Sequence, residues 1–199
     1  MLITISGQSG SGKSSAAKGL SQALKIPTVD VGQIFRAMAK TYGMTVGQFG
    51  RYAEKHREID LKLDDEMVRL ARRRKNVILQ GRLAGWMAIR HQLQAVKIWI
   101  GAKLATRAKR VAGRESTPYR EAYRLIARRD KDNVTRYKGT YGLDLNDLSV
   151  YDIVVQTDDL TVEKVVASLV KTLKVWPKKQ SRKKKPSKKR PLAKNRRKK

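Results

Sequence analysis

The chain has 199 residues, and its 46 Lys and Arg side chains against 17 Asp and Glu give a formal net charge of +29. The length suits one domain or one domain with an appendage, and a chain this basic is expected to attract polyanions such as nucleotides or RNA. The absence of cysteine excludes disulfides and cysteine-ligated metals, no stretch approaches the ~20 apolar residues of a membrane span, and we expect a cytoplasmic protein that binds no membrane.

The predicted elements alternate between strand and helix along the chain. Short apolar runs predict five strands, over residues 2–6, 27–29, 76–80, 96–100 and 152–156. Helical patterns lie between them, over residues 13–24, 31–41, 46–55, 59–74, 103–112, 118–138 and 162–173. Thr45 and Gln48 have the spacing of a capping box at the start of the third helix. Because strands that alternate with helices form parallel sheets, the fold class is predicted to be α/β with a five-stranded parallel sheet flanked by helices.

Two connections between the predicted strands are much longer than the others. One joins the second and third strands and the other joins the fourth and fifth, and both are helical and rich in charge. We therefore predict two mobile helical flaps on the sheet: a first flap over about residues 31–75 and a second flap over about residues 101–140.

The stretch between the first strand and the first helix carries the most specific motif. Residues 7–14, GQSGSGKS, match G-x-x-x-x-G-K-[ST] between a strand and a helix, which is the context that a nucleoside triphosphate loop requires. Glycines let main-chain N–H groups point at phosphate, Lys13 can reach the β- and γ-phosphates, and the Ser14 hydroxyl can ligate Mg²⁺. The residues predicted to bind ATP are Gly7, Gln8, Ser9, Gly10, Ser11, Gly12, Lys13, Ser14 and Ser15.

A second anion site is predicted from two arginines that follow strands. Arg36 lies one helical turn past the second strand, and Arg82 lies just beyond the third strand. Both project from the carboxyl edge of the sheet, where open α/β sheets bind ligands. Two guanidinium groups held there suit a second phosphate, although arginines are plentiful in this chain and each could also be an ordinary surface residue.

The second flap carries a third group of cations. Six of its arginines are candidates for this site, namely Arg107, Arg110, Arg114, Arg128, Arg129 and Arg136. Cations on a flap that closes over a transferring phosphoryl group would stabilise its charge and exclude water. We predict that Arg129 and Arg136, seven residues apart and so on one helix face, act in catalysis with Lys13, whereas Arg107 and Arg110 are the weaker candidates. The alternative is a solvated basic face.

Several phrases of the sequence resemble one family. The stretches ITISGQSGSGKSS, GQIFRAMAK, GMTVGQFGRYAEKHREID, GRLAGWM, RYKGTYGLDLNDLS and YDIVV resemble the nucleoside monophosphate kinases, and most of all the archaeal-type cytidylate kinases. The resemblance covers about residues 1–173. It implies a five-stranded core, a first flap that binds the monophosphate, a second flap that is the lid, and Mg²⁺-dependent transfer of the ATP γ-phosphate to CMP or dCMP.

The resemblance also implies roles for particular residues. Arg36 and Arg82 would hold the CMP phosphate, and Asp60, with Asp64 as a further candidate, would lie near the base. A carboxylate there could accept the exocyclic amine of cytosine and so favour cytosine over uracil. The alternative for Asp60 is a charge that complements a helix N-terminus, and Asp64 could equally be a surface residue.

Two positions depart from the family pattern. Gln80 stands at the end of the third strand, where relatives usually carry Glu or Asp to hold Mg²⁺ through water. Asp30, at the end of the second strand and also predicted on the substrate side, could supply the missing charge. Gln156 stands where Asn is expected near the adenine site. These two departures leave open that the protein acts on a different substrate or transfers phosphate at a slow rate.

The last part of the chain differs in composition. Residues 176–199 hold 14 of the basic side chains and no carboxylate, which predicts a disordered tail appended to a domain over residues 1–175. Such a tail could bind RNA or ribosomes in a salt-sensitive way; it could also be a dispensable solubilising segment. An alternative function is therefore an RNA- or ribosome-associated ATPase on the same scaffold, and a kinase that acts on RNA 5′ ends is a third possibility.

Overall fold

The computed structural model of the chain describes residues 1–180, in which strands and helices alternate as predicted. The strands are β1 (Leu2–Gly7), β2 (Thr28–Asp30), β3 (Val77–Gln80), β4 (Ala95–Gly101) and β5 (Ile153–Gln156). The helices are α1 (Lys13–Leu24), α2 (Val31–Thr41), α3 (Val46–Lys55), α4 (Arg57–Arg73), α5 (Ala84–Arg90), α6 (Leu104–Glu115), α7 (Tyr119–Tyr141) and α8 (Val162–Gln180).

The predicted helices agree with these bounds to different degrees. The predictions for α1, α2 and α3 match at both ends, and the Thr45 capping box is present at the start of α3. Helix α5 was not predicted. Helix α8 continues to Gln180, so the first residues assigned to the tail belong to a helix; the rest of the predicted tail, residues 181–199, lies outside the described residues.

All strand pairs in the described residues are parallel, in the order β2-β3-β1-β4-β5. The predicted five-stranded parallel sheet is confirmed. Strand β1 is central, and the chain first builds the β2–β3 side of the sheet and then crosses to the β4–β5 side. The carboxyl end of β1 therefore lies at the point where the connections diverge, which is where open α/β sheets place ligands.

Both faces of the sheet are covered by helices. On one face, β1 and β4 residues such as Ile3 and Ile98 pack with α1 and α8 residues such as Leu20 and Leu169. On the other face, residues of β3 pack with α4 and α5. Burial on two sides explains why the strands read as continuous apolar runs.

The two predicted flaps are helical and carry apolar clusters of their own. The first flap contains α2, α3 and α4, which pack around Phe49 and Ile59. The second flap contains α6 and α7, which pack around Val111 and Ile126. Within residues 1–180, no helix is long and apolar enough to cross a membrane.

Candidate active site

The glycine-rich loop follows β1 and ends where α1 begins at Lys13. Gly12 is the N-cap of α1, has a φ of 96°, and caps the helix without a side chain, so the first main-chain N–H groups of α1 open toward the loop. Gly10 has a φ of +77°, and a Cβ there would lie 2.8 Å from the main-chain oxygen of Arg107. The close approach of α6 thus requires glycine at this position of the loop.

Positive charge is concentrated beside the loop and is partly buried. The Lys13 ammonium donates a hydrogen bond to the main-chain oxygen of Gln8 at 2.7 Å. Burial, reinforced by the positive charge of Arg82, lowers the pKa of Lys13 to about 7. Burial also lowers the pKa of Arg82. Cations whose charged form is disfavoured by their surroundings are stabilised by a bound anion, so this region fits phosphate.

The two arginines predicted for the second anion site lie on the same cavity as the loop. This cavity has a volume of about 670 Å³ and is lined by residues 9–16 of the loop region, by Arg36 and by Arg82. Arg82 Nη2 donates to Ser9 Oγ at 2.7 Å, and Arg36 Nη2 lies 3.2 Å from Asp30 Oδ2. The side chain of Arg36 is 55% exposed, which leaves its guanidinium accessible from the cavity.

Asp30, predicted on the substrate side, has two local partners. Its carboxylate caps α2 by accepting a hydrogen bond from the Gly32 N–H at 2.8 Å, and it also accepts one from Arg36. It lines the cavity. Asp30 therefore orients Arg36 at the start of the first flap.

Arg107 and Arg110 contact the loop directly, although they were ranked below Arg129 and Arg136. Arg107 is buried, donates to the main-chain oxygen of Ser9 at 3.1 Å, and pairs with Asp130 at 2.7 Å. Arg110 donates to the Thr157 hydroxyl at 2.9 Å and approaches the Ser11 main-chain oxygen at 3.4 Å. These contacts tie α6 to the loop and, in the case of Arg110, to the segment after β5.

Arg136 and Asp60, which were predicted for separate roles, bind each other. Arg136 Nε donates to Asp60 Oδ2 at 2.7 Å, and Arg136 Nη2 donates to Asp60 Oδ1, so the pair is bidentate. Both side chains are only 5% exposed, yet both residues line the cavity. A second hydrogen bond, from Arg57 to the main-chain oxygen of Thr140 at 2.7 Å, also joins α4 to α7. The two flaps are therefore connected to each other.

The three remaining candidate arginines of the second flap fall into two kinds. Arg129 and Arg114 line the cavity. The side chain of Arg128 is 69% exposed, lies 4.0 Å from Asp132, and is not part of the cavity wall.

Asp64 has a partner that the sequence did not reveal. It lines the cavity, and its Oδ2 accepts a hydrogen bond from the Tyr141 hydroxyl. Burial raises the pKa of Asp64 to about 7, and burial together with the Asp64 contact raises the pKa of Tyr141. Asp64 is thus a buried acid in the cavity, not a surface residue.

The two departures from the family pattern lie in different places. Gln80 is 5% exposed, lines the cavity, and donates from Nε2 to Ser14 Oγ at 2.7 Å. The side chain of Gln156 packs against Gly101, where a Cβ would meet Gln156 Oε1 at 2.5 Å, and is not part of the cavity wall. Thr157, the next residue, lines the cavity instead.

The side chains around Ser14 suit Mg²⁺, which needs few protein ligands, better than a metal that is held entirely by protein side chains. The described residues contain no group of three or more His, Cys, Asp or Glu side chains that could hold a metal ion. Mg²⁺ usually takes one or two protein oxygens and completes its shell with substrate phosphates and water. Ser14, Gln80 and Asp30 line one cavity with the loop, and their side chains carry oxygen atoms of the kind that Mg²⁺ prefers.

Comparisons with known proteins agree with this architecture. The sequence model of the cytidylate kinase-like family matches residues 2–159. A cytidylate kinase of Pyrococcus horikoshii is 42% identical over 167 residues, which cover 84% of this chain and 85% of the relative. A cytidylate kinase of Methanocaldococcus jannaschii is 39% identical over 178 residues, covering 87% of this chain and 99% of the relative.

Solved structures share the fold at low sequence identity. An uncharacterized protein from Eubacterium ventriosum has a TM-score of 0.67 at 19% identity, with 87% of this chain and 98% of that chain covered. Shikimate kinase from Aquifex aeolicus has a TM-score of 0.56 at 21% identity, with 89% and 98% covered. These similarities show the fold alone.

Proposed function

The chain belongs to the cytidylate kinase-like family, and from this premise we propose that it transfers the γ-phosphate of ATP to CMP or dCMP, giving ADP and CDP or dCDP. One observation carries the proposal: the phosphate loop and the arginine pair Arg36 and Arg82 line the same cavity. A phosphate donor and a phosphate acceptor can therefore bind side by side.

The donor side uses main-chain and lysine groups. The N–H groups of the loop and of the first turn of α1 face the triphosphate, and the helix dipole adds positive potential there. The Lys13 ammonium would follow the β- and γ-phosphates. A bound triphosphate would raise the pKa of Lys13 from its lowered value, because the phosphate charges favour the ammonium form.

The acceptor side holds the monophosphate for in-line attack. Arg36 and Arg82 bind the CMP phosphate, and one of its oxygens attacks the γ-phosphorus as the bond to the β-phosphate oxygen breaks. No general base is required, since this phosphate is already ionised at neutral pH. Catalysis is then a matter of positioning and charge stabilisation.

Arginines of the second flap stabilise the charge that develops during transfer. Arg129 lies on the cavity wall and is the candidate for contact with the transferring group. Arg110 positions the loop against the segment after β5 through its contacts with Ser11 and Thr157. Arg136 takes a positioning role, because its guanidinium is engaged by Asp60.

We further propose Mg²⁺ as the cofactor. Ser14 would ligate it, and Gln80 and Asp30 line the same cavity as Ser14. When bound, Mg²⁺ neutralises phosphate charge and orients the phosphates of ATP.

An assay of ADP formation with each nucleoside monophosphate tests the function. We expect ADP release from ATP and Mg²⁺ that depends on CMP or dCMP, with much lower rates for AMP, GMP and UMP. If folded protein that binds ATP forms ADP no faster with any monophosphate, the proposal fails. Stimulation of ATP hydrolysis by RNA in place of CMP would instead favour the ATPase alternative.

Two further statements stay predictions. Contact with RNA or ribosomes through residues 176–199 is checked by comparing RNA binding of the full chain and of a chain ending at residue 180 at low and high salt. Cytoplasmic location is checked by cell fractionation.

A further inference from the structure

The sheet has a second edge, opposite to the one that carries the cavity. The cavity lies at the carboxyl edge, where the strands end. The strands begin at the amino edge, where the Pro27 main-chain oxygen, just before β2, accepts a hydrogen bond from the Ile78 N–H of β3 at 2.9 Å. Because β1 has six residues, the two edges lie roughly 20 Å apart. A contact at the amino edge is therefore on the far side of the sheet from the cavity.

Five exposed cations lie at the amino edge. One follows the end of α1 and precedes β2, and a run of four consecutive cations leads from the end of α4 toward β3. We call this set the amino-edge patch, which consists of Lys25, Arg72, Arg73, Arg74 and Lys75. Strands β2 and β3 are neighbours in the sheet, so the single lysine and the run of four belong to one surface.

The charge of the patch is not neutralised within residues 1–180. No ion pair in that part of the chain involves any of the five side chains. No Asp or Glu occurs between Glu66 and Glu115, and Glu66 itself pairs with Arg69. Asp152, the one acid that directly precedes a strand, pairs with Lys97 at 2.7 Å. The patch is therefore a source of positive potential that an anionic partner can use.

The helix end explains only a small part of this charge. Arg72 and Arg73 lie in the last turn of α4, where cations complement the negative end of the helix dipole. That end corresponds to only about half a negative charge, whereas the run from Arg72 to Lys75 carries four positive charges. Most of the positive charge is left for a partner outside the domain.

The strongly basic end of the chain leaves the described part of the structure at the same edge. Helices α1 and α8 both begin at the carboxyl edge and run side by side toward the amino edge. Leu173 of α8 belongs to the apolar cluster that contains Ile26, the second residue before β2. Helix α8 continues to Gln180, and residues 181–199 hold twelve Lys and Arg side chains and no acid. The patch and this segment can therefore act on one partner.

The composition of this surface favours a nucleic acid backbone over other anionic partners. A membrane-surface segment needs an apolar face beside its cations, but the patch has no apolar side chain and Leu192 is the one large apolar residue in residues 181–199. The cores of protein interfaces are enriched in aromatic residues and depleted of Lys, and neither the patch nor residues 181–199 contain an aromatic residue. A phosphodiester chain needs only closely spaced cations, because the release of its counterions drives binding.

We propose that the amino-edge patch, extended by residues 181–199, binds the phosphate backbone of RNA or DNA without sequence preference. Contacts to phosphate carry no information about the bases. Because the patch lies opposite to the cavity, a nucleic acid bound there leaves the cavity free for nucleotides. This binding does not depend on the proposed kinase activity.

The test is the binding of a short fluorescent single strand of mixed sequence to the full chain, over a range of salt concentrations. The variant combines Arg72→Gln, Arg73→Gln, Arg74→Gln and Lys75→Gln. Each neutralised phosphate of a single strand adds about 0.7 to the slope of log K against log salt, so the loss of four contacts should lower the slope by about 3 and the affinity at physiological salt at least about tenfold. If circular dichroism shows that this variant does not fold, Arg74→Gln with Lys75→Gln, beyond the last residue of α4, should lower the slope by about half as much.

The matched control removes the same charge from the two flaps. It changes four exposed cations outside the cavity wall, by Lys40→Gln, Lys62→Gln, Arg120→Gln and Arg124→Gln. Attraction between exposed charges is screened beyond about 10 Å at 0.1 M salt, so the control should keep most of the native affinity and slope. An equal loss in the two variants would show that net charge alone drives binding, and it would overturn the proposal.

Competition and comparison of strands complete the test. Saturating ATP with Mg²⁺ should not displace the strand, and RNA and DNA of one sequence should bind with similar affinity. Displacement by ATP would place the strand in the cavity, a strong preference for RNA would show recognition beyond the backbone, and an unchanged slope in the patch variant would leave residues 181–199 as the sole binding segment. Each of these results would overturn the proposal. A failure to phosphorylate CMP would count only against the proposed function.

Discussion

The two sides of the cavity bind phosphate with different parts of the chain. The donor side is a single stretch, residues 7–14, in which main-chain N–H groups, glycines and Lys13 act together. The acceptor side is assembled from side chains that are far apart in the chain, with Arg36 on α2 and Arg82 after β3. Main-chain recognition depends on loop conformation, whereas side-chain recognition depends on how the elements pack.

This difference has a consequence for substitutions. A change on the donor side should distort the conformation of the whole loop and so damage ATP binding. A change on the acceptor side should remove one guanidinium and affect CMP far more than ATP. Single substitutions can separate these two outcomes.

Gly10→Ala should damage the donor side most. Its Cβ would lie 2.8 Å from the main-chain oxygen of Arg107, in a loop conformation that disfavours side chains. A displaced loop misplaces the triphosphate, and errors of about 1 Å in such sites can cost ~10²-fold in rate. We expect a comparable loss of kcat/KM for ATP.

The matched control for this change is Gly43→Ala. Gly43 also has a positive φ, of +63°, but a Cβ there meets nothing within 4 Å. The variant should lose about 1 kcal/mol of folding free energy and keep its kinetics. An equal loss of kcat/KM for ATP in the two variants would show that backbone strain at a glycine, and not the geometry of the phosphate loop, causes the loss.

Arg82→Ala should break the acceptor side selectively. A hydrogen bond to a charged group contributes ~1.5–3 kcal/mol, so the KM for CMP should rise by roughly ten- to a hundredfold. ATP binding, measured by calorimetry, should change much less. Arg128→Ala, which removes an exposed arginine outside the cavity, should leave both constants unchanged.

Gln80→Glu tests whether Gln80 lies close to the bound Mg²⁺, between the donor side and the acceptor side. Gln80 donates to Ser14 Oγ, and a carboxylate in its place adds a negative charge next to the proposed Mg²⁺ ligand. The Mg²⁺ concentration for half-maximal activity should fall by a few fold. If the dependence of activity on Mg²⁺ is unchanged, Gln80 does not lie close to the bound metal.

Asp64→Asn should affect phosphate binding least, and its expected effect is on stability. The pKa of Asp64 is raised in the folded protein from 3.8 to about 7, so folding binds a proton between these values. Ionised Asp64 therefore lowers the free energy of unfolding progressively from about pH 4 to pH 7, and the full penalty is present above pH 7. The variant removes this penalty, so urea unfolding should show it gaining stability relative to the native protein at pH 8 but not at pH 4.

The same contrast explains which features could be predicted from sequence. The loop motif is contiguous, and the sheet follows from apolar runs separated by helical patterns, so the α/β class and the order of the elements were accessible. Helix α5 was not, because it has seven residues, most of them buried, and so lacks the two-sided pattern that indicates a surface helix.

Pairings between distant side chains were also hidden. The Arg110 contact with Ser11 spans 99 positions, and the Tyr141 contact with Asp64 spans 77. No local spacing specifies such pairs, because they depend on the packing of α6 on the loop and of α7 on α4. Arg36 and Arg82 were predictable as a pair only because both follow parallel strands, whose carboxyl ends share one edge of the sheet.

Calorimetry with a ligand in which a polyphosphate chain joins adenosine to cytidine tests whether donor and acceptor phosphates bind side by side in one cavity. Since such a ligand occupies both sides at once, its Kd should lie far below that of ATP, and Arg82→Ala should remove most of the gain. A Kd equal to that of ATP in the native protein, unchanged in Arg82→Ala, would contradict the claim.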